Sequence, residues 1–532
     1  MARDATDEPR ETRVEISKRL VAVNSASSVA RRLISVSILV WAHQYLVQRV
    51  DADEYAIYPV VASIMVFAPL FTSFLAGGVS RYAVAAYARG EPEETTAIVS
   101  SIFPLLAAAG ALLLIGGGVF AWQIDAILTL SPGLVGDAQV MFALLVAGFV
   151  AQLVALPFTI GFAIRQRFVL SNLIAVGIEV VRLTLLLVLL FGVSTRVVWI
   201  VVATVSANLL GLVVRVALSR SMVPELRFHG AAFAWRRGRE LMAFGIWTSL
   251  GQLAAMIHRG AAPIVLNKLA TSVDVTAFHI GALFDTQIRA MSTTAAAPVQ
   301  PALTAMHATG SHERLGSAFL RGGRYALWAA LLVGCPMVVY REHIVDLYAG
   351  SQYASAATVM LLLMAVYPLT FSNTMLPKIA VAKAQIRGFF AASITVQAIN
   401  LALMIYLVGT RGMDAVGPAL AVFVTTTTSQ LAIFWPMGLR MTDVPLGRYA
   451  RETLLRGLLP GVVASALWLF LEARIDSASW PLLALHFGAG AAVYVATLVT
   501  VCLGPDERND LKRALDRIRG RGRGRGRDQV DH

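Results

Sequence analysis

Along the chain, long uncharged runs alternate with short polar joints. Residues 56–80, 95–124 and 138–164 contain no charged side chain at all. A hydrocarbon core about 30 Å thick needs roughly 20 apolar residues at about 1.5 Å each, so each of these runs can cross it as a helix. The runs carry Gly and Pro and lack strict two-residue alternation, which predicts helices and not the strands of an outer-membrane barrel. The pattern predicts fourteen spans: 25–47, 56–77, 97–121, 138–162, 168–191, 197–218, 241–265, 276–299, 324–340, 356–377, 389–409, 415–437, 457–472 and 480–503. The fold expected is an all-α polytopic membrane protein.

The joints carry a repeat. The stretch "QRVDADEYAIYPV" at 48–60 returns as "TSVDVTAFHIGAL" at 271–283, so that Val50 and Asp51 fall on Val273 and Asp274, and Tyr55 on Phe278. Farther on, "AYARGEPEE" (86–94) is echoed by "MHATGSHER" (306–314). A unit of six helices begins and ends on the same side of the membrane, so two copies are related by a pseudo-two-fold axis along the membrane normal. The expected organisation is a cytoplasmic segment 1–24, an N-lobe 25–218, an inter-lobe loop 219–240, a C-lobe 241–437, a two-helix appendage 438–503 and a basic disordered tail 504–532.

Composition and charge sharpen this picture. Of 532 residues, 57% are hydrophobic and 14% charged, the balance of a membrane protein. With the amino terminus inside, cytoplasmic segments hold 35 basic residues and outer loops hold 6, which predicts both termini in the cytoplasm. The first 20 residues lack an apolar core with a cleavage site, so the first span is expected to act as the insertion signal. The tail ends in "RGRGRGRDQVDH" without an interleaved aromatic for base stacking. It is therefore read as a lipid-facing basic segment and not as a nucleic-acid site. Cys335 and Cys502 stand alone in apolar segments and are read as packing residues.

Several stretches carry a family resemblance: "NSASS" at the start of the first span, "DADEYAIYPVVASI", "ARGEPEE", "PALTAMHATGSHERL" and "GMDAVGPALAVFV" (412–424). Together they resemble the polysaccharide-transporter branch of the multidrug/oligosaccharidyl-lipid/polysaccharide (MOP) exporter superfamily, which includes the O-antigen and exopolysaccharide flippases. The resemblance implies a V-shaped pair of six-helix lobes around a central cavity lined mainly by spans 1, 2, 7 and 8.

Charges inside spans mark candidate sites, because a charged side chain at mid-bilayer costs roughly 2.5–3.5 kcal/mol on insertion scales. Span 7 carries His258 and Arg259, and span 8 carries Asp285 and Arg289. Glu179 and Arg182 on span 5, three residues apart, are expected to neutralise each other as an intramembrane ion pair. Arg259 and Arg289 are the leading substrate contacts, since a guanidinium holds phosphate oxygens in a bidentate fork. Arg31 and Arg32 either guide the same headgroup or set topology. Asn24, Ser25, Gln252 and Gln287 suit sugar hydroxyls or helix packing. The acids of the 51–53 "DAD" triplet are read as solvated loop residues.

No lysine follows a glycine, so there is no Walker A loop, and neither a zinc-protease helix nor a nucleophile elbow occurs. No metal site or cofactor is predicted, and the coupling ion, H+ or Na+, is left open. The favoured function is a flippase, not an enzyme, for a lipid-linked oligosaccharide in a bacterial or archaeal cytoplasmic membrane, with polysaccharide-assembly enzymes as further partners. A drug or cation antiporter is the first alternative and a membrane glycan polymerase or ligase the second.

Overall fold

The structure is a computed structural model. It describes residues 35–508 apart from 77–78, 166, 237, 240–255, 258–259, 297–298, 300–302, 304–305, 308–311, 384, 476–478 and 505–506. The described residues contain helices and no strand. A described helix overlaps each of the fourteen predicted ranges. These are α1 (Ser35–Val47), α2 (Ala52–Leu75), α3 (Pro92–Trp122), α4 (Pro132–Ile164), α5 (Val169–Gly192) and α6 (Val198–Met222). They continue with α7 (260–269) and α8 (Ser272–Ala296), and with α9 (Glu313–Val339). The broken α10 (Ser355–Phe371 with Leu376–Ala382) precedes α11 (Ile386–Gly409), α12 (Val416–Thr442), α13 (Leu446–Arg474) and α14 (Trp480–Cys502). Ten of these are long and apolar enough to span a membrane, eleven if the broken pair is one span.

Helix pairing repeats between the halves. In the first, α4 packs against α2, α3 and α6, and α6 against α5; six helices later, α10 packs against α8, α9 and α12, and α12 against α11. Lipid supplies no hydrophobic drive between such helices, so close contact depends on small residues and internal hydrogen bonds. At Gly281 of α8, an added Cβ would lie 2.7 Å from the Ala356 carbonyl oxygen of α10.

Three features depart from the sequence expectation. Span 10, expected as one helix over 356–377, bends by 40° at 372–375. The bend is held from three sides: Gly323 of α9 lets the Ser372 carbonyl approach, Tyr449 donates to Ser372 Oγ at 2.8 Å, and Asn373 donates to Gln430 of α12 at 3.2 Å. Secondly, α13 begins at Leu446 and not at 457, its first turns forming a π-helix over Ala450–Leu455. Thirdly, the tail expected to be disordered from 504 begins with an anchor. Glu507 is buried against Arg324 of α9, accepts from Tyr325 OH at 2.5 Å and accepts from the Gly504 N–H at 2.8 Å. Arg324 also donates to the Glu452 carbonyl at 2.8 Å and lies over the Trp328 ring. Burial by itself would raise the Glu507 carboxyl, but these donors and the guanidinium hold it below the usual carboxylate range.

The same region docks the two extra helices. Tyr340 donates to the Trp468 carbonyl at 3.0 Å and Tyr494 to the Trp328 carbonyl at 2.9 Å, so α13 and α14 lie against α9. The inter-lobe loop is strapped to α3 by two buried serines. Ser100 accepts from the His229 N–H at 2.9 Å, and Ser101 from the Ala234 N–H at 3.1 Å.

Candidate functional site: the lobe interface and its ion pairs

The two lobes meet on the face that carries the turns at 48–51 and 270–271. There α2 packs against α8, and Thr276 donates to the Ala52 carbonyl at 3.4 Å. Asn267 of α7 forms a two-bond clasp with the first lobe: its amide donates to the Thr129 carbonyl at 2.9 Å and its oxygen accepts the Thr129 N–H at 3.0 Å. The helix Arg341–Ala349 completes the seal, receiving Gln48 at the Tyr348 carbonyl (3.0 Å) and donating from Tyr348 OH to the Val40 carbonyl (2.9 Å). Farther along α2, Gly260 of α7 comes close to the first lobe, where an added Cβ would lie 3.0 Å from the Ser63 carbonyl oxygen and 3.1 Å from the Phe67 ring.

Asp51 and Asp53 are exposed, as expected of solvated loop residues, but other acids of the turns and Asp53 itself also serve as acceptors. Asp53 accepts from Ser131 Oγ at 2.8 Å, and Glu54 accepts the Val197 N–H at 2.8 Å, tying two other turns of the lobe together. In the second lobe, Asp274 accepts the Thr271 N–H at 3.1 Å and reaches the Ala415 N–H at 3.4 Å. Backbone donors at helix starts need such partners.

Each lobe contains one acid–arginine pair on described span residues. In the first, Arg182 Nη1 lies 2.9 Å from Glu179 Oε2, Ser35 of α1 donates to Glu179 Oε1 at 3.0 Å, and Arg182 Nη2 donates to Asn208 of α6 at 3.0 Å. Asn208 also lines a cleft of about 240 Å³ between α2, α4 and α6, with Gln152, Thr204 and Met65. This cleft lies inside one lobe, whereas the central cavity expected from the resemblance lies between the lobes. In the second lobe, Arg289 Nε bridges both carboxylate oxygens of Asp285 at 2.9 Å. Its guanidinium sits 5.5 Å from the Tyr367 ring centre and reaches the Leu363 carbonyl at 3.5 Å, both on α10 of the same lobe. The Asp285 side chain is 9% exposed and that of Arg289 29%.

Gln287 lies two residues from Asp285 on α8 and is half-buried. Arg31, Arg32, Asn24, Ser25, Gln252, His258 and Arg259 lie outside the described residues. No group of three or more metal-ligating side chains occurs among the described residues.

Sequence reasoning passed over a ring cluster at the seal. His43 of α1 shares a 2.7 Å hydrogen bond with Tyr55 OH, and its ring centre lies 4.8 Å from that of Tyr58 and 5.3 Å from that of His279 on α8. Neutral rings near span ends carry no insertion penalty that would flag them. The signal was nonetheless present in a histidine beside the repeated turn in each half. Asn267, Asn208 and Gln152 were missed because single amides are common in membrane helices.

The chain matches no family model. It is 22% identical over 514 residues to the protein named "Uncharacterized membrane protein EpsK" of Bacillus subtilis (strain 168), covering 92% of this chain and 97% of that one. Among solved structures it is similar to the lipid II flippase MurJ in an inward closed conformation, with a TM-score of 0.69 and 12% identity over 89% of this chain and 97% of that one. It is also similar to an inward-facing multidrug resistance MATE-family transporter, with a TM-score of 0.61 and 14% identity over 79% and 98% of the two chains. Two six-helix halves with repeated pairing, and these likenesses across nearly the whole length of each neighbour, lead to one conclusion: the chain is a multi-pass helical membrane protein with the fold of the MOP superfamily.

Proposed function

We propose that this protein is a flippase that moves a lipid-linked oligosaccharide, carried on a polyprenyl diphosphate, from the inner to the outer leaflet of a bacterial or archaeal cytoplasmic membrane. The observation that carries this reading is the seal between the lobes on the face of the repeated turns. Spans 1, 2, 7 and 8 and the helix Arg341–Ala349 close the face of the 48–51 turn. The basic-residue asymmetry argues that this face is the outer one, so the seal would close the outer side.

In this reading the lipid tail stays in the bilayer while the sugar and diphosphate pass between the lobes, avoiding the desolvation that blocks unassisted flipping. Opening the seal while the inner halves close delivers the headgroup outside, the rocking motion of paired-repeat transporters. Arg289, poised by Asp285 and partly exposed, is the described cation offered to the diphosphate, with Arg259, His258, Gln252 and Gln287 as further contacts. The MurJ likeness supports a lipid-linked cargo, and the match to EpsK over most of both chains supports a shared role. The antiport alternative is disfavoured by the pairing of Glu179 and Asp285 with arginines, since ion-carrying carboxylates need to be released from such partners.

The test is reconstitution in liposomes with a labelled lipid-diphosphate oligosaccharide, followed by accessibility to an outside reagent. Faster exposure than in empty liposomes supports the proposal. No acceleration under any imposed ion gradient refutes it.

A further inference from the structure

The ring cluster at the seal carries an inference that rests on the alternating-access reading above and adds a ligand to it. His43 and His279 belong to opposite lobes, yet their ring centres are 5.3 Å apart. Tyr55 holds His43 through a 2.7 Å hydrogen bond to Nδ1, and Tyr58 packs on both imidazoles, at 4.8 Å and 6.1 Å. His279 Nε2 is buried and has no hydrogen-bond partner among the described residues. The titratable groups facing the pair are the phenols of Tyr55 and Tyr58. Behind Tyr55 lie Tyr348 and Tyr353, and beyond Tyr58 lies the Arg182 guanidinium. The nearest carboxylates stand one group farther out, Asp51 beyond Tyr353 and Glu179 already paired with Arg182, so none is in place to neutralise an imidazolium.

We propose that His43 and His279 form a proton-binding latch between the lobes, in which neutral rings hold the outer seal closed and protonation opens it. The first proton puts an uncompensated charge among packed rings. A second puts a like charge on the other lobe, with the ring centres only 5.3 Å apart. Both charges gain water only by separation of α1 from α8, which is the motion that opens the seal. The sign follows directly: closed-state stability is present while both rings are neutral and is lost as pH falls. Each histidine whose proton is bound only in the open state shifts the open-to-closed ratio by up to about tenfold per pH unit. Behind the latch, Tyr58 also lines a small cavity of about 90 Å³ that shares Met65, Leu145 and Thr204 with the first-lobe cleft.

The test places spin labels at the exposed residues Asp125 and Gln352, one on each lobe at the sealed face, in a full-length Cys335→Ala/Cys502→Ala background, and measures their separation across pH. Acidification from about pH 8 to about pH 5, the range in which imidazoles titrate, is expected to raise the long-distance population at least about tenfold. The His43→Gln/His279→Gln variant is expected to hold one distribution throughout, and each single variant to keep a smaller response. A native distribution indifferent to pH overturns the proposal, as does a double variant that responds like the native chain. The native titration stands even if the double variant does not fold. Histidine-dependent opening in a protein that moves no lipid-linked sugar would uphold the latch and refute the transport reading.

Discussion

Replacing Glu507 by Ala removes one half of the most deeply buried ion pair described. Arg324 is 3% exposed and would keep only its bond to the Glu452 carbonyl and the faces of Tyr325 and Trp328. Leaving one charge of a buried pair uncompensated costs about 3–5 kcal/mol. Here that cost falls on the docking of the α14 terminus, not on the whole bundle, because Gly504 and Tyr325 also lose their acceptor. Local opening should therefore rise by about two to nearly four decades, at about 1.36 kcal/mol per decade. Cys502, 1% exposed and five residues before Glu507, is the natural reporter. In a Cys335→Ala background, its maleimide labelling rate should rise by at least about a hundredfold in Glu507→Ala. The doubly apolar Arg324→Met/Glu507→Met variant should label near the native rate, because it leaves no orphaned charge. A Glu507→Ala rate within about threefold of native would refute the claim that this ion pair anchors the chain end.

Other consequences follow from the packing and the seal. Gly323→Ala would set a Cβ 2.0 Å from the Ser372 carbonyl oxygen, so the bend in α10 must shift; a loss of at least about 3 kcal/mol in denaturant-resisted helicity is expected, and native-like stability would contradict the contact. Arg182→Ala strands buried Glu179 and should destabilise by about 3 kcal/mol or more, while Glu179→Gln/Arg182→Gln recovers most of that loss in thermal unfolding. Asn267→Ala removes both bonds of the clasp, about 2 kcal/mol, and should raise the open population at the outer seal roughly thirtyfold in distance measurements. Arg289→Ala should abolish translocation with insertion intact, and Arg289→Lys should not restore it, since an ammonium lacks the fork. Full transport by Arg289→Ala would remove that residue from the substrate path.

The helices were legible in the sequence because bilayer thickness turns composition into length: uncharged runs such as 95–124 and 138–164 lie inside α3 and α4 almost end to end. The repeat was legible in its turns, since loop residues are not constrained by lipid to be apolar; Asp51 and Asp274 both stand at the starts of the helices where the lobes meet. The bend in α10 was not, because Ser372 and Asn373 break an apolar run too weakly to register and the space they need is supplied by Gly323 and Gly438, far away in sequence. The anchor at Glu507 was hidden within the tail expected to be disordered, because its partner lies 183 residues earlier, at the edge of a predicted span. The pairing of Asp285 with Arg289 follows from helical spacing, but its seat on α10 does not: Tyr367 and Leu363 are brought there by tertiary packing alone.

In the proposed cycle, cargo crosses only as the outer seal opens and closes. A Thr129→Cys/Asn267→Cys pair in a Cys335→Ala/Cys502→Ala background puts one thiol on each of the two residues that the clasp joins, where the Asn267 side chain now holds the Thr129 backbone. Translocation of a lipid-diphosphate oligosaccharide in proteoliposomes should stop when this pair is oxidised and resume on reduction. Undiminished translocation with the disulfide fully formed would contradict the account.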